Sequence, residues 1–283
     1  MAPGSTMSGE DDEWFEGASD EDTDEEDLFE DDFASEFGGG PGSEGFEEDF
    51  ESEIPRIDLG IEGLDEMIQG GVPERSLLVA MGAAGTGKTT FGLQYLQRGL
   101  ETDQKAIYIT LEEGREDVVQ AATEMGWAFD EYIENDELAI VDLDPIEMAN
   151  SLTSIRGDLP RLVDAFDADR LVLDSVSLLE MMYDDQAERR TEIFDFTRAL
   201  KSAGVTTVLT SEAAEGNPYA SRHGIIEYLT DGVFILQYVR SEFRETRLAI
   251  EIQKIRNANH SRETKPYEIT NGGISVYQQA NIF

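Results

Sequence analysis

Apolar runs of five or six residues, each followed by a stretch with helical spacing, organise the middle of the chain. Ser76-Leu77-Leu78-Val79-Ala80-Met81, Ala106-Ile107-Tyr108-Ile109-Thr110-Leu111, Leu138-Ala139-Ile140-Val141-Asp142, Arg170-Leu171-Val172-Leu173-Asp174 and Val205–Thr210 read as strands. Runs without polar alternation mark strands covered on both faces. Between them the spacing predicts helices opening at Phe91 and Leu93–Leu96, over about 114–126, over Leu159–Phe166 and over about 186–203. A shorter helix, on the spacing Ile61, Leu64, Met67-Ile68, precedes the first strand and is stopped by Gly70-Gly71 and Pro73. Pro145 and Ser151–Ser154 predict an irregular stretch. Then the pattern changes. Gly232–Val239, Arg247–Ile255, Lys265–Thr270 and Gly273–Tyr277 read as strands with few helical signals between them. The expectation is an α/β fold with a mostly parallel sheet flanked by helices and a C-terminal antiparallel strand extension. Residues 54–283 show no linker-like composition and no internal repeat, so they read as one domain.

Composition changes the picture at the N-terminus. Residues 1–53 carry 22 acidic residues and no Lys or Arg. Such a segment buries too little apolar surface to offset chain entropy and is expected to be a disordered acidic tail. Trp14, Phe15, Phe29, Phe33, Phe37, Phe46 and Phe50 recur through it. Two readings stay open: a solvating tail, or a tail that docks on a protein partner or on its own domain. The rest of the chain is acidic too, with 40 acids against 21 bases, only five of them Lys. Excess carboxylate with little lysine suits solubility in concentrated salt, as expected of a halophilic archaeon, the alternative being an ordinary acidic protein. The chain has no cysteine, which excludes disulfides and thiolate metal sites and fits a reducing, cytoplasmic setting. His223 and His260 make no metal-binding spacing. No apolar run approaches the roughly 18 residues of a membrane span, and the acidic start is not a secretory or transit signal.

Gly82-Ala83-Ala84-Gly85-Thr86-Gly87-Lys88-Thr89 then assigns chemistry to this frame. It satisfies the phosphate-loop pattern G-x-x-x-x-G-K-[ST], with a strand before it and a helix after it. Gly82, Gly85 and Gly87 let the backbone turn its N–H groups inward, and the following helix, opening through Thr86, Lys88, Thr89 and Thr90, adds its positive dipole end. Lys88 would neutralise the terminal phosphates and Thr89 would offer its hydroxyl to Mg²⁺. The expected ligands are therefore ATP, or another nucleoside triphosphate, and Mg²⁺.

Hydrolysis needs more. Asp174 ends an apolar strand, where ligands collect in parallel sheets, and is placed to hold Mg²⁺ through water or else to cap a turn. Glu112 and Glu113 end the strand 106–111 and are placed to orient or deprotonate a water, or to favour a helix start. Thr210-Ser211-Glu212 ends another strand, and its hydroxyls either sense the γ-phosphate or satisfy a polar turn. Lys254 and Arg256 share a face of a late strand, with His260 beyond. They read as phosphate-facing cations or as an ordinary surface strand end.

Taken together, Gly63-Leu64-Asp65 and Gly70-Gly71-Val72-Pro73, the loop Gly82–Thr89, Thr110-Leu111-Glu112-Glu113, Leu171–Ser175, Thr230-Asp231-Gly232 and Lys254-x-Arg256-x-x-x-His260 resemble the KaiC family of RecA-like ATPases. The resemblance covers about residues 54–280. It implies a RecA-like core and a homo-oligomeric ring, usually hexameric, with ATP at subunit interfaces. It further implies that Lys88, Thr89 and Asp174 serve ATP and Mg²⁺ and that Glu112 and Glu113 are the catalytic carboxylates. Lys254, Arg256 and His260 would reach the γ-phosphate of the neighbouring subunit. Two departures qualify the resemblance. Clock proteins of the family carry two such domains, whereas this chain has one. Their autokinase half also carries a Ser–Thr pair where this chain has Glu227 and Tyr228, so autophosphorylation is not expected, Tyr228 being the one conceivable acceptor.

Three functions follow from the same residues: a ring ATPase acting as a nucleotide-driven switch, an ATP-binding scaffold of the archaeal-motility kind with little turnover, and a RadA-type recombination ATPase. The retained Glu112-Glu113 pair weighs against the scaffold. The stretch Glu212–Glu227 holds only Arg222 as a full cation, which weighs against strand binding and so against nucleic acid as a partner.

Overall fold

The computed structural model describes residues 54–240 and 246–279. The expected acidic tail over residues 1–53 lies outside these described residues. The elements run in order β1 (Arg56–Ile57), α1 (Leu64–Ile68), β2 (Val72–Pro73), β3 (Leu77–Gly82), α2 (Lys88–Leu100), β4 (Ala106–Thr110), α3 (Arg115–Glu124), α4 (Phe129–Glu134), β5 (Leu138–Asp142), α5 (Pro145–Phe166), β6 (Arg170–Asp174), α6 (Val176–Met181), α7 (Gln186–Ser202), β7 (Thr206–Ala214), β8 (Asn217–Ser221), α8 (Ile226–Leu229), β9 (Gly232–Arg240), β10 (Thr246–Ile255), β11 (Lys265–Thr270) and β12 (Gly273–Val276).

One large sheet organises the chain, in the order β12-β11-β10-β9-β3-β7-β6-β4-β5, with β8 paired to β7. The six strands from β9 to β5 are parallel, and β10, β11 and β12 extend the sheet antiparallel. The expected architecture is the one observed. A period of two along each strand sends alternate side chains to opposite faces, and here both faces are apolar. Leu78 and Ala80 of β3 enter one core with Phe91, Leu93 and Tyr95 of α2. Leu77, Val79 and Met81 of the same strand enter the other core with Ile193, Phe196 and Leu200 of α7.

The chain departs from expectation where proline and serine suggested an irregular stretch. Residues 145–166 form one helix. Pro145 takes the first helical position, where its missing N–H costs nothing, and the Asp144 side chain accepts from the amides of Ile146 and Glu147. Met148, Leu152, Leu159 and Val163 keep one buried face through Ser151–Ser154 and Pro160. Strand β7 also outruns its expected end at Thr210, because the hairpin partner β8 continues its pairing to Ala214. The short helices α4, α6 and α8 carried no clear periodic signal, being four to six residues long.

Parallel pairing brings the C-terminal ends of β3, β4, β6 and β7 to one edge of the sheet. The register sets Ala80 beside Thr210 and Thr110 beside Asp174. The opposite edge holds the start of β3, the start of β9 and, because β10 runs the other way, the end of β10: Leu78 lies beside Gly232, and Gly232 beside Ile255.

Candidate active site

The phosphate loop lies at the first edge, between β3 and α2. Gly85 and Gly87 have φ of 77° and 83°, which side chains rarely adopt. A Cβ at Gly85 would fall 2.7 Å from the Tyr238 hydroxyl, and one at Gly87 would fall 2.6 Å from Cδ1 of Ile269. The loop is braced from below and from β9 and β11. Thr86, wholly buried, donates its hydroxyl to the Ala83 carbonyl at 2.8 Å. Tyr267 donates to the Thr86 carbonyl at 2.5 Å and Tyr238 to the Ala84 carbonyl at 3.3 Å. Burial pushes the Tyr267 phenol up, so this brace stays protonated. Lys88 Nζ donates to the Ala83 carbonyl at 3.2 Å, folding the ammonium over the loop.

Asp174 is the hub of this edge. It is 4% exposed, and its carboxylate accepts from three hydroxyls on three elements. Thr89 of α2 and Tyr108 of β4 each donate to Oδ2 at 2.7 Å, and Thr210 of β7 donates to Oδ1. Three charge-assisted bonds fix the carboxylate and hold it beside the Thr89 hydroxyl. This donor set fits Mg²⁺, a hard ion that keeps most of its waters and takes few protein oxygens.

Next to the hub, the β4 strand end turns sharply. The Thr110 hydroxyl accepts from the amides of Glu112 and Glu113 at 3.3 and 3.0 Å and donates to the Glu113 carbonyl at 2.9 Å. The Leu111 amide donates to the Asp174 carbonyl at 2.7 Å, tying this turn to β6. Glu112 accepts from the Ser175 hydroxyl. Burial first, then repulsion from Asp174, Asp117 and Glu112, hold the Glu113 carboxyl above the ordinary carboxylate range. A raised carboxylate is a stronger base.

The Thr210-Ser211-Glu212 hydroxyls point elsewhere than a free phosphate sensor would. Thr210 is bonded to Asp174, Ser211 lies 3.3 Å from the Ser177 hydroxyl, and Glu212 pairs with Arg222 at 2.8 Å.

Lys254, Arg256 and His260 are not brought to the loop. They lie at the opposite edge of the sheet. The β3 residues that mark the two edges, Leu78 and Gly82, are four strand steps apart, about 13 Å at the usual rise per residue. Lys254 Nζ donates to the Glu227 carbonyl at 2.6 Å. Burial, then repulsion from Arg256, hold its ammonium below the ordinary lysine range. Arg256, half exposed, donates to Asp231 Oδ1 at 3.1 Å and to the Tyr228 carbonyl at 3.5 Å. His260 Nδ1 lies 2.9 Å from the Ser261 carbonyl.

Asp231 is the bracket of this second edge. Its Oδ2 accepts from the Leu77 amide at 3.0 Å, and its Oδ1 also takes Lys201 Nζ at 2.8 Å. Burial pushes its carboxyl up, but Lys201, the Leu77 amide and Arg256 together outweigh this and hold it below the usual range. Sequence reasoning assigned no role to Tyr108, Ser175, Tyr238 or Tyr267. Three are mid-strand residues indistinguishable from core or surface positions by pattern. The nearest signal was Asp231, quoted within a motif without a role.

The comparisons accord with this geometry. The circadian clock oscillator protein KaiC of Acaryochloris marina is 32% identical over 232 residues, 80% of this chain and 44% of that protein. The protein of the same name from Synechococcus elongatus is 33% identical over 232 residues, again 44% of its length. The chain thus spans less than half the length of these curated relatives. Among solved structures, a KaiC-like protein from the hyperthermophilic archaeon Pyrococcus horikoshii superposes with a TM-score of 0.71 at 33% identity, covering 79% of this chain and 99% of that one. The KaiC ATPase profile matches residues 57–281. With the loop, the hub and the split edges in place, the chain belongs to the KaiC family of nucleotide-binding, RecA-like proteins.

Proposed function

We propose that this chain is an ATPase whose sites are completed between subunits of a homo-oligomeric ring, and that it works as a nucleotide-driven switch. One observation carries the reading: the groups that hydrolysis needs are divided between two opposite edges of one sheet. Gly82–Thr89, Asp174 and Glu112-Glu113 stand at one edge, and Lys254 and Arg256 at the other. Two different, chemically complementary patches on one chain favour a head-to-tail contact, and head-to-tail contacts give rings where the rotation between copies closes. Membership of the KaiC family implies the same arrangement, a hexamer being the expected size.

The division of labour follows. The loop amides and Lys88 bind the β- and γ-phosphates of ATP. Thr89, with Asp174 behind it, would hold Mg²⁺, which supplies charge neutralisation on the phosphate oxygens. Glu113, raised in pKa and adjacent to the hub, takes the proton of the attacking water, and Glu112, fixed by Ser175, orients that water. Arg256 and Lys254 of the next copy meet the charge that develops on the γ-phosphate, as cationic fingers do in trans. His260 shares their edge and is assigned to the same contact.

Mass in solution tests the assembly. The chain is expected to form a ring of about six copies with ATP and Mg²⁺ and smaller species without them. A chain that hydrolyses ATP at an unchanged rate per subunit while monomeric would contradict the reading. Tight ATP binding with negligible turnover would favour the scaffold function instead.

A further inference from the structure

A second cluster of ionisable side chains lies outside this site, where α6, α7, α8 and the β7–β8 hairpin meet. Glu180 of α6 is 0% exposed, and neither carboxyl oxygen has a hydrogen-bond partner. The charged groups that act on it are the Glu227 carboxylate from α8 and Arg189 from α7. Arg189 does not pair with the Glu180 side chain. Its Nε donates to the Glu180 main-chain carbonyl at 2.9 Å and its Nη2 to the Tyr183 carbonyl at 2.5 Å. Glu227 is buried as well and is anchored by β8, accepting from the Ser221 hydroxyl at 2.5 Å and the Ser221 amide at 3.3 Å. The hairpin adds Arg222, paired with Glu212 and 3.7 Å from the Met181 sulfur, and His223, whose Nε2 is buried without a partner. Burial, then Arg189 and Arg222, hold the His223 imidazole below its ordinary range.

The cluster touches the candidate finger through main chain. Helix α8 is four residues long, one turn. The carbonyl of Glu227 accepts Lys254 Nζ at 2.6 Å, and the carbonyl of the next residue, Tyr228, accepts from Arg256. Both cations are therefore seated on the turn that carries Glu227, whose charge acts on Glu180. A single turn has little cooperativity of its own and stays in place through its packing.

We propose that Glu180 is a positioning residue for the candidate trans cations: as a neutral acid it lets Glu227 and α8 stay seated, and α8 in turn holds Lys254 and Arg256 where a neighbouring copy needs them. The inference rests on the reading of those two residues as trans cations. Burial, then the Glu227 charge, push the Glu180 carboxyl up to about 8, with Arg189 offsetting part. The sign follows from that direction. For a carboxyl raised above its unfolded value, the seated arrangement binds more protons than the open one, so it weakens as pH rises toward the raised value. Above it, two carboxylates would stand together in an apolar interior, a repulsion that α8 relieves by moving outward.

The test is the pH profile of ATP hydrolysis by the full chain with saturating ATP and Mg²⁺. The wild-type rate is expected to fall on the alkaline side with a midpoint at or below about 8, the raised value of Glu180 in the seated arrangement, since opening of α8 draws off the ionised form. One titrating proton gives a loss of about tenfold per pH unit beyond the midpoint. Glu180→Gln mimics the neutral acid, and its rate is expected to stay level through that range, with the KM for ATP unchanged. If Glu180→Gln folds poorly, Glu180→Met fills the same space without a titrating group and is expected to lose the same limb. A limb that persists unchanged in the soluble variant belongs to another group, such as Lys254, and overturns the proposal, as does a wild-type profile without one. Arg256→Ala separates the two levels. If it hydrolyses ATP as fast as wild type, the trans reading falls and takes this inference with it. If Arg256→Ala is slow while Glu180→Gln keeps the wild-type limb, only the role of Glu180 is refuted.

Discussion

The two edges of the central sheet are built on different principles. At the loop edge, every group is held from within one chain. Thr89, Tyr108 and Thr210 converge on Asp174, Thr110 closes the Glu112-Glu113 turn, and Tyr238 and Tyr267 brace the loop. This edge is preorganised, the condition under which fixed dipoles and charges act most strongly on a reaction. At the far edge, Lys254 and Arg256 are parked on the carbonyls of α8 and on Asp231, and Arg256 stays half exposed. Parked cations with an open side are suited to meet something that the chain itself does not present. On the proposed reading, the difference means that completeness of the site is judged at an interface between copies and not within one chain.

The largest break in this comparison is expected from the loop edge. Lys88→Ala removes the ammonium from the terminal phosphates and should abolish ATP binding, read by equilibrium binding of a fluorescent ATP analogue. Next comes the water. Glu113→Gln keeps the shape and deletes the base, so turnover should drop about 10²–10⁴-fold with binding retained. Glu112→Gln should cost less, since in the proposed division of labour Glu112, held by Ser175, orients the water and Glu113 takes the proton. At the far edge, Arg256→Ala should spare ATP binding yet slow hydrolysis by about 10³-fold or more, the usual effect of removing a finger. Single-turnover measurements separate those two effects.

The smallest effect sharpens the electrostatics. Hydrolysis should lose its rate as pH falls through the raised pKa of Glu113, because the base must be ionised. Asp117 is one of the charges that raise it, after burial and Asp174. Asp117→Asn should therefore move the acid limb of the pH profile to lower pH, with a small drop in the plateau as the base weakens. An acid limb that stayed in place would remove Glu113 from the role of base.

How much of this was legible in the sequence divides along the same line. The loop edge could be read because its chemistry is local: Gly82–Thr89 is contiguous, and Asp174 and Glu112-Glu113 stand at the ends of strongly apolar strands. Strand order could not be read, so neither could the hydroxyls that converge on Asp174 from α2, β4 and β7. Tyr108 is the clearest case, a mid-strand aromatic whose pattern says only core. The far edge gave an alternating Lys254 and Arg256, a spacing shared by many surface strands. Their meaning came from a family resemblance, and their separation from the loop came only from the antiparallel register of β10 on β9. Residues 145–166 failed for a different reason. Local signals from Pro145 and the serines were overridden by an N-terminal cap and a buried face that spacing alone undervalued.

The central claim, that loop and cations act across a subunit boundary, is tested most directly by mixing two inactive chains. Lys88→Ala keeps the far edge intact, and Arg256→Ala keeps the loop edge intact. Each alone should hydrolyse little ATP. Mixed and reassembled, they should regain activity at every boundary where an intact loop faces an intact Arg256, up to about a quarter of the wild-type rate for random equimolar assembly. Recovery would establish sites shared between copies. Mixtures that form rings yet stay as inactive as their components would contradict the account, since each site would then have to be completed within a single chain.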